Sequence, residues 1–315
     1  MNTTTHEVSR RTILAVPGSS ERFLTKARDV AADGVFLDLE DAVAPAAKES
    51  ARGQIVAALA ASWRPSWVSV RVNDWTTAWT YGDVIEVVGG AGRHLDAIVL
   101  PKVTGPDQVR ALDLLLTQVE RTHDLPVGRI AIEAQIEDAA GLIHANEIAA
   151  ASPRMASLVY GPGDFAASLG MSSLSIGGQP AGYDIADAFH YVHLRIIVAA
   201  RAAGIAAIDG PYAAIRDTDG FRTSARRSAA LGYDGKWVLH PDQIEIGNEV
   251  FAPAREDFDR AQRIMTAYAE ATSEAGGAVG AITVDDEMID EASIKVARVV
   301  LARGQAAGFT TTKEN

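Results

Sequence analysis

The chain predicts a TIM (β/α)8 barrel with a C-terminal helical lid segment, and three observations carry that expectation. Short β-rich apolar runs recur eight times. Longer Ala-, Leu-, Arg- and Glu-rich stretches lie between most of them. Nearly every run ends in polar groups suited to chemistry. Alternating strand and helix implies right-handed βαβ units on a parallel sheet. Eight such units close a barrel, although counting alone leaves a doubly wound sheet open. Barrel enzymes gather their reactive groups at the C-terminal strand ends, and a helical bundle has no reason to place them there.

The first strand is expected at Thr12–Val16, running into Pro17-Gly18-Ser19-Ser20, and the second at Gly34–Leu39, ending among Asp38, Glu40 and Asp41. Trp67–Val72 supplies Arg71 and Asn73, and Ala97–Leu100 leads to Lys102. Ile130–Ile136 ends at Glu137, and Ser157–Tyr160 runs into Gly161-Pro162-Gly163-Asp164. Ile205–Ile208 precedes Asp209, and Trp237–Leu239 precedes His240. Several runs are apolar almost throughout, as strands buried on both faces should be. Helices are expected at Ala47–Ala61, Pro106–Arg121 and Ile185–Ala203. The pattern changes after Pro253, giving a barrel over 1–253 and a lid or arm over 254–315. That second part reads as a helix at Glu256–Ser273, a flexible stretch Glu274–Gly280, a short segment Val284–Met288, a helix from Ile289 to Arg303, and a frayed tail Thr310–Asn315.

Of 315 residues, 48% are hydrophobic and 22% charged, the balance of an ordinary globular protein. The net charge of −12 lacks the overall basic footprint of a nucleic-acid binder. The chain has no cysteine, which excludes disulfides, thiolate metal sites and cysteine nucleophiles. Met1–Ser9 is polar, without the apolar core of a signal peptide. No apolar run approaches the ~18 residues that span a bilayer. A cytoplasmic protein without nucleic-acid or membrane partners is expected.

Glu137 and Asp164 each follow a strand, and those strands are neighbours in a barrel. Two converging carboxylates with room for water hold Mg2+ in many proteins, but exposed loop acids or helix caps account for the same pattern. Glu133 and Gln135 share Glu137's strand face by alternation. Asp38 and Glu40 should point together with Asp41 beside them, either ordering metal-bound water or forming a network with Arg71 or Lys102. Arg71 at a strand end suits bidentate contact with a carboxylate or carbonyl oxygen. Arg22 and Lys26, four apart at the start of a helix, suit phosphates; solvated charges read the same way. The seven histidines show no metal-ligand spacing. His190 and His193 suit surface or packing roles, and His240 a structural one.

The run Arg11 to Ser19, then Leu37-Asp38-Leu39-Glu40-Asp41-Ala42-Val43, resembles the opening of the HpcH/HpaI aldolase, or citrate lyase β-subunit-like, family. So do Val70-Arg71-Val72-Asn73, Pro101-Lys102-Val103, Ile136-Glu137, Gly161 to Asp164, Ile208-Asp209-Gly210-Pro211 and Gly235 to Pro241. The resemblance covers nearly the whole chain in order. Tyr81-Gly82-Asp83-Val84-Ile85, Phe165-Ala166-Ala167-Ser168 and Ile289-Asp290-Glu291-Ala292-Ser293-Ile294 look most like the L-malyl-CoA/β-methylmalyl-CoA lyase branch. The resemblance implies a TIM barrel, Mg2+ or Mn2+, a coenzyme A thioester substrate and homotrimers or hexamers. It implies Glu137 and Asp164 as metal ligands and Arg71 as a contact to the reacting oxygens, with Glu40 and Asp41 beside them in the catalytic group. It also implies Arg22 and Lys26 on coenzyme A, and Asp290 as an acid delivered by the C-terminal segment, often to a neighbouring subunit. Asp138 departs from the family, where threonine follows the metal-binding glutamate.

The implied reaction is cleavage or condensation of a 3-hydroxyacyl-CoA such as L-malyl-CoA or β-methylmalyl-CoA. Its products are glyoxylate, or a related 2-oxo acid, and acetyl-CoA or propionyl-CoA. Alternatives are a citramalyl-CoA or citryl-CoA lyase, a malyl-CoA thioesterase or malate synthase, an aldolase of free 2-oxo acids, and a silent barrel serving as a binding subunit.

Overall fold

The computed structural model describes residues 8–172, 174–183, 185–273 and 280–310, so most of the expected flexible stretch from Glu274 and the tail after Thr310 lie outside the described residues. Two compact units divide between Phe251 and Ala252.

In the first unit eight parallel strands close a barrel in sequence order: β1 (Thr12–Pro17), β2 (Gly34–Asp38), β3 (Trp67–Arg71), β4 (Ala97–Leu100), β5 (Ala131–Ile136), β6 (Met155–Tyr160), β7 (Ala206–Asp209) and β8 (Gly235–Val238). β8 returns to pair with β1 through Thr12–Lys236, Ile13–Trp237 and Leu14–Val238, which removes the doubly wound alternative. Period-two alternation sorts the strand residues into two layers. Ile13, Phe36, Val99, Val159, Ala206, Ile208 and Trp237 form one cluster inside the barrel. Val35, Leu37, Val70, Ile98, Leu100, Ala134, Leu158 and Val238 face the other way and pack with helix residues such as Ile55, Val84, Leu112 and Ile196. Both strand faces are therefore buried, which is why the runs read as almost wholly apolar. Lower in the barrel, Arg10 pairs with Glu133 at 3.2 Å, and Ser157 donates to the same carboxylate.

The helix expected from Ile185 begins at His190. The residues before it spend their backbone donors on side chains: Phe189 N–H donates to Asp187, and Ala188 N–H to Gln179. Arg227 also pairs with Asp187 at 3.2 Å, holding that residue in a turn.

The second unit contains a helix Arg255–Thr272, a hairpin of β9 (Ile282–Val284) and β10 (Glu287–Ile289), and a helix Glu291–Ala306. The expected segment Val284–Met288 thus spans a two-residue turn at Asp285 and Asp286, with φ of 50° and 62°. Two successive left-handed residues match the right-handed twist of a hairpin, and aspartate tolerates that conformation. Ala261, Ile264, Ile289, Ile294 and Ala297 form this unit's own core.

Candidate active site

The interior register continues upward from the apolar layer into charge. Asp38 and Arg71 are directly opposite each other across β2 and β3. Arg71 donates from Nε to Asp38 Oδ1 at 2.8 Å and from Nη2 to Asp38 Oδ2 at 2.7 Å, a bidentate fork. Its Nη1 reaches Glu40 Oε2 at 2.8 Å and Asp41 Oδ2 at 3.4 Å. Burial works against the charge on Asp38, but Arg71 outweighs it and holds the carboxyl below the usual range. Glu40 is buried too, and there burial prevails over Arg71 and Lys102, lifting its carboxyl to about 7. The network with Arg71 and Lys102 that the sequence left open is therefore present.

Glu137 follows β5 and is 3% exposed. Its Oε1 accepts from the backbone N–H of Lys102 at 2.6 Å, and its Oε2 from Gln135 Nε2 at 2.6 Å. Burial, then the charge of Glu40, with Asp164 adding to both, pushes the Glu137 carboxyl up to about 8. Asp164 lies in the first turn of the helix Pro162–Ser168, just past β6, with its side chain 48% exposed. Gly161 makes room for Glu137: a Cβ there would overlap the Glu137 Cβ and stand 2.5 Å from its Oε2. Lys102 joins the group, with Nζ 2.6 Å from Glu40, 3.7 Å from Asp164 and 3.9 Å from Asp41.

Two supporting clusters hold these strand ends. Lys48, almost fully buried, donates to the carbonyls of Leu39 and Glu40 and to Asn73 Oδ1. Asn73 is fixed by Asp83, which Arg52 pairs at 2.8 Å. On the outer face, Asp209 and Lys236 oppose each other across β7 and β8 and pair at 2.6 Å. His193 Nε2 sits 3.3 Å from the same carboxylate, and Lys236 also donates to the Gly210 carbonyl. Asp209 therefore braces the strands, although the sequence placed it among the groups suited to chemistry. Lys48 and Lys236 were not foreseen. A lysine inside the buried run at β8 was a readable sign of a buried partner, whereas nothing in the sequence marked Lys48.

The remaining candidates lie elsewhere. Arg22 and Lys26 are exposed on the short helix Glu21–Ala27 and make no ion pair among the described residues. Asp290, in the second unit, caps the helix Glu291–Ala306, accepting from the N–H groups of Ala292 and Ser293. Those bonds, Ser293's first, hold its carboxyl below the usual range. Asp138 caps the helix Ala139–Ile143 through Gly141 N–H, so its carboxylate has a local structural task. His193 is wholly buried and His190 exposed, while His240 accepts from Asp242 N–H near the start of a helix.

The donor set suits a hard divalent ion. Glu137 and Asp164 offer oxygen only, and no cluster of three His, Cys, Asp or Glu side chains competes among the described residues. Mg2+ needs no more than one or two carboxylates, completing its shell with water and substrate oxygens. Gln135 Oε1 is buried without a hydrogen-bond donor among the described residues, an acceptor left over for such a water, and Glu40 Oε2 faces only Arg71.

A family model described as HpcH/HpaI aldolase/citrate lyase matches residues 11–241. The chain is 40% identical over 301 residues to an L-malyl-CoA/beta-methylmalyl-CoA lyase of Cereibacter sphaeroides, covering 92% of each. It is 34% identical over 280 residues to a malyl-CoA/beta-methylmalyl-CoA/citramalyl-CoA lyase of Chloroflexus aurantiacus, covering 84% of this chain and 78% of the relative. Among solved structures, the protein CitE of Mycobacterium tuberculosis in complex with magnesium, acetoacetate and coenzyme A is similar at a TM-score of 0.74 and 28% identity. It covers 95% of this chain and 99% of its own.

Proposed function

The chain belongs to the HpcH/HpaI aldolase/citrate lyase family, and from that membership and the acidic barrel mouth we propose that it is a metal-dependent carbon–carbon lyase of 3-hydroxyacyl-CoA thioesters. L-malyl-CoA would give glyoxylate and acetyl-CoA, and β-methylmalyl-CoA would give glyoxylate and propionyl-CoA. The observation that carries the reading is the Glu137 carboxyl. It is buried close enough to Glu40 and Asp164 for their charges to act on it, which gathers carboxylate oxygens at the barrel mouth. Glu137 and Asp164 would hold Mg2+ or Mn2+. When bound, such an ion supplies Lewis acidity toward hydroxyl and carboxylate oxygens.

The chain's own residues supply the rest. Arg71, locked by Asp38 and braced by Glu40 and Asp41, brings fixed positive charge to the oxygens that become negative as the bond breaks. Such preorganised charge needs no rearrangement at the moment of reaction. Asp290, kept ionised by its cap hydrogen bonds, accepts the α-proton of the acyl-CoA in condensation, and its acid form returns that proton in cleavage. The unit from Ala252 onward acts as the lid that excludes water, closing a neighbouring subunit's barrel in a homotrimer or hexamer. Arg22 and Lys26 take the coenzyme A phosphates. The setting is cytoplasmic; no helix among the described residues is long and apolar enough to cross a membrane.

Incubation with L-malyl-CoA, Mg2+ and phenylhydrazine tests the reading. Glyoxylate phenylhydrazone is expected. Pyruvate phenylhydrazone from citramalyl-CoA, with none from malyl-CoA, would shift the substrate class, and release of free coenzyme A without any 2-oxo acid would replace the lyase by a thioesterase.

A further inference from the structure

We propose that Lys102 is a tethered competitor of the metal ion: its ammonium occupies the charge-balancing place among Glu40, Asp41 and Asp164 and so weakens the site's hold on a divalent cation. The inference rests on the metal reading above and concerns how that site is tuned.

Lys102 has a φ of 51°. The other described non-glycine residues at positive φ are Asp124, Asp285 and Asp286, a residue type that tolerates this region. A lysine there persists only where its surroundings hold it. Here the hold is visible: the Lys102 N–H donates to Glu137 Oε1, while its Nζ lies 2.6 Å from Glu40 and 3.7 Å from Asp164. One residue thus touches both carboxylates assigned to the ion, by its backbone on one side and its charge on the other.

The neighbouring cations are committed. Arg71 is taken up by Asp38, Glu40 and Asp41, and Lys48 by two carbonyls and Asn73. Lys102 is the more accessible cation of the group, with a side chain 38% exposed, and its flexible stem lets the ammonium withdraw from Asp164 while remaining on Glu40. The Glu40 carboxylate, 2.6 Å away, is the partner that anchors the ammonium. A divalent ion entering beside Asp164 therefore meets a like charge tethered to Glu40. An anionic ligand relieves that repulsion, so metal and acyl-CoA carboxylate should bind with positive coupling, each tightening the other equally.

Calorimetric titration with Mg2+ alone at pH 9 reads this directly, comparing the wild-type chain with Lys102→Met and Lys102→Arg. Methionine matches the stem and carries the same backbone cost. Lys102→Met is expected to bind Mg2+ at least about tenfold more tightly, the factor for removing a unit charge a few ångströms from a divalent one even in water. Lys102→Arg should stay within about threefold of the wild type, because the charge remains. Lys102→Gln serves as a second neutral variant should the methionine form misfold. Unchanged or weaker Mg2+ binding in folded neutral variants, with the wild type binding normally, overturns the Lys102 inference alone. Absence of Mg2+ binding in every variant overturns the metal assignment with it.

Discussion

Replacing Gly161 by alanine probes the site at its tightest point. The new Cβ would overlap Glu137 Cβ and lie 2.5 Å from its Oε2 and 2.9 Å from Gln135 Nε2. Relief comes either from moving the backbone at the end of β6 or from turning Glu137 away. The first route is overpacking, at about 1–3 kcal/mol. The second gives up the bonds to Lys102 N and Gln135 Nε2, both 2.6 Å, each worth about 1.5–3 kcal/mol once the carboxyl is ionised, above about pH 8. Backbone movement is therefore the cheaper relief for the first few tenths of an ångström, and both routes displace the carboxylate. The expected loss is about 1–3 kcal/mol in stability, or about 2–10 °C in Tm for a domain of this size. Mg2+ affinity should fall about 10–100-fold, as when a metal ligand loses its support. Calorimetry with Mg2+ and thermal melts of the metal-free protein measure the two effects. A Gly161→Ala protein with wild-type Tm and wild-type Mg2+ affinity would refute the reasoning, because Glu137 would then not be held where its contacts place it.

Glu137→Gln should raise the Tm of the metal-free protein at pH 8 and abolish Mg2+ binding. The carboxyl ionises near 4.5 when unfolded but near 8 when folded, so the wild type loses stability as pH rises between those values and the variant does not; equal melting temperatures at pH 8 would contradict this. Asp209→Asn leaves Lys236 buried without its partner and should cost about 3–5 kcal/mol in urea unfolding. The depressed Asp209 carboxyl contributes stability above about pH 4 that is lost as pH falls, so the variant's deficit should shrink in acid. Arg22→Ala and Lys26→Ala should raise KM for the acyl-CoA with kcat nearly unchanged, since both remove binding shared by ground and transition states. Asp290→Asn should do the reverse, lowering kcat at least about 100-fold by removing the proton acceptor.

The barrel was legible because its strands are buried on both faces and its polar residues collect at one end of each. Ala97–Leu100 matched its strand residue for residue, and the other seven were shifted by one or two residues at their ends. What sequence pattern could not resolve was which face a strand-end charge takes. Asp38 and Asp209 both end strands, yet Asp38 lies in the inner register against Arg71 and Asp209 in the outer one against Lys236. Two residues at the same height thus differ in task by one step of alternation. The start at His190 was hidden for another reason: the side chains of Gln179, nine residues earlier, and Asp187 take the Ala188 and Phe189 N–H groups and hold the chain in a turn. Lys48 was invisible because two of its three partners are backbone carbonyls, which carry no sequence signal, and the third is the neutral Asn73.

The most direct test of the account follows one Mg2+ titration of the metal-stripped protein by two readouts, calorimetric binding and glyoxylate release from L-malyl-CoA. With the acyl-CoA present in both, the account predicts that the two rise together with a common midpoint, and that Glu137→Gln and Asp164→Asn, still folded, lose both. Glyoxylate release that persists after metal stripping, or in a folded Glu137→Gln protein, would contradict it.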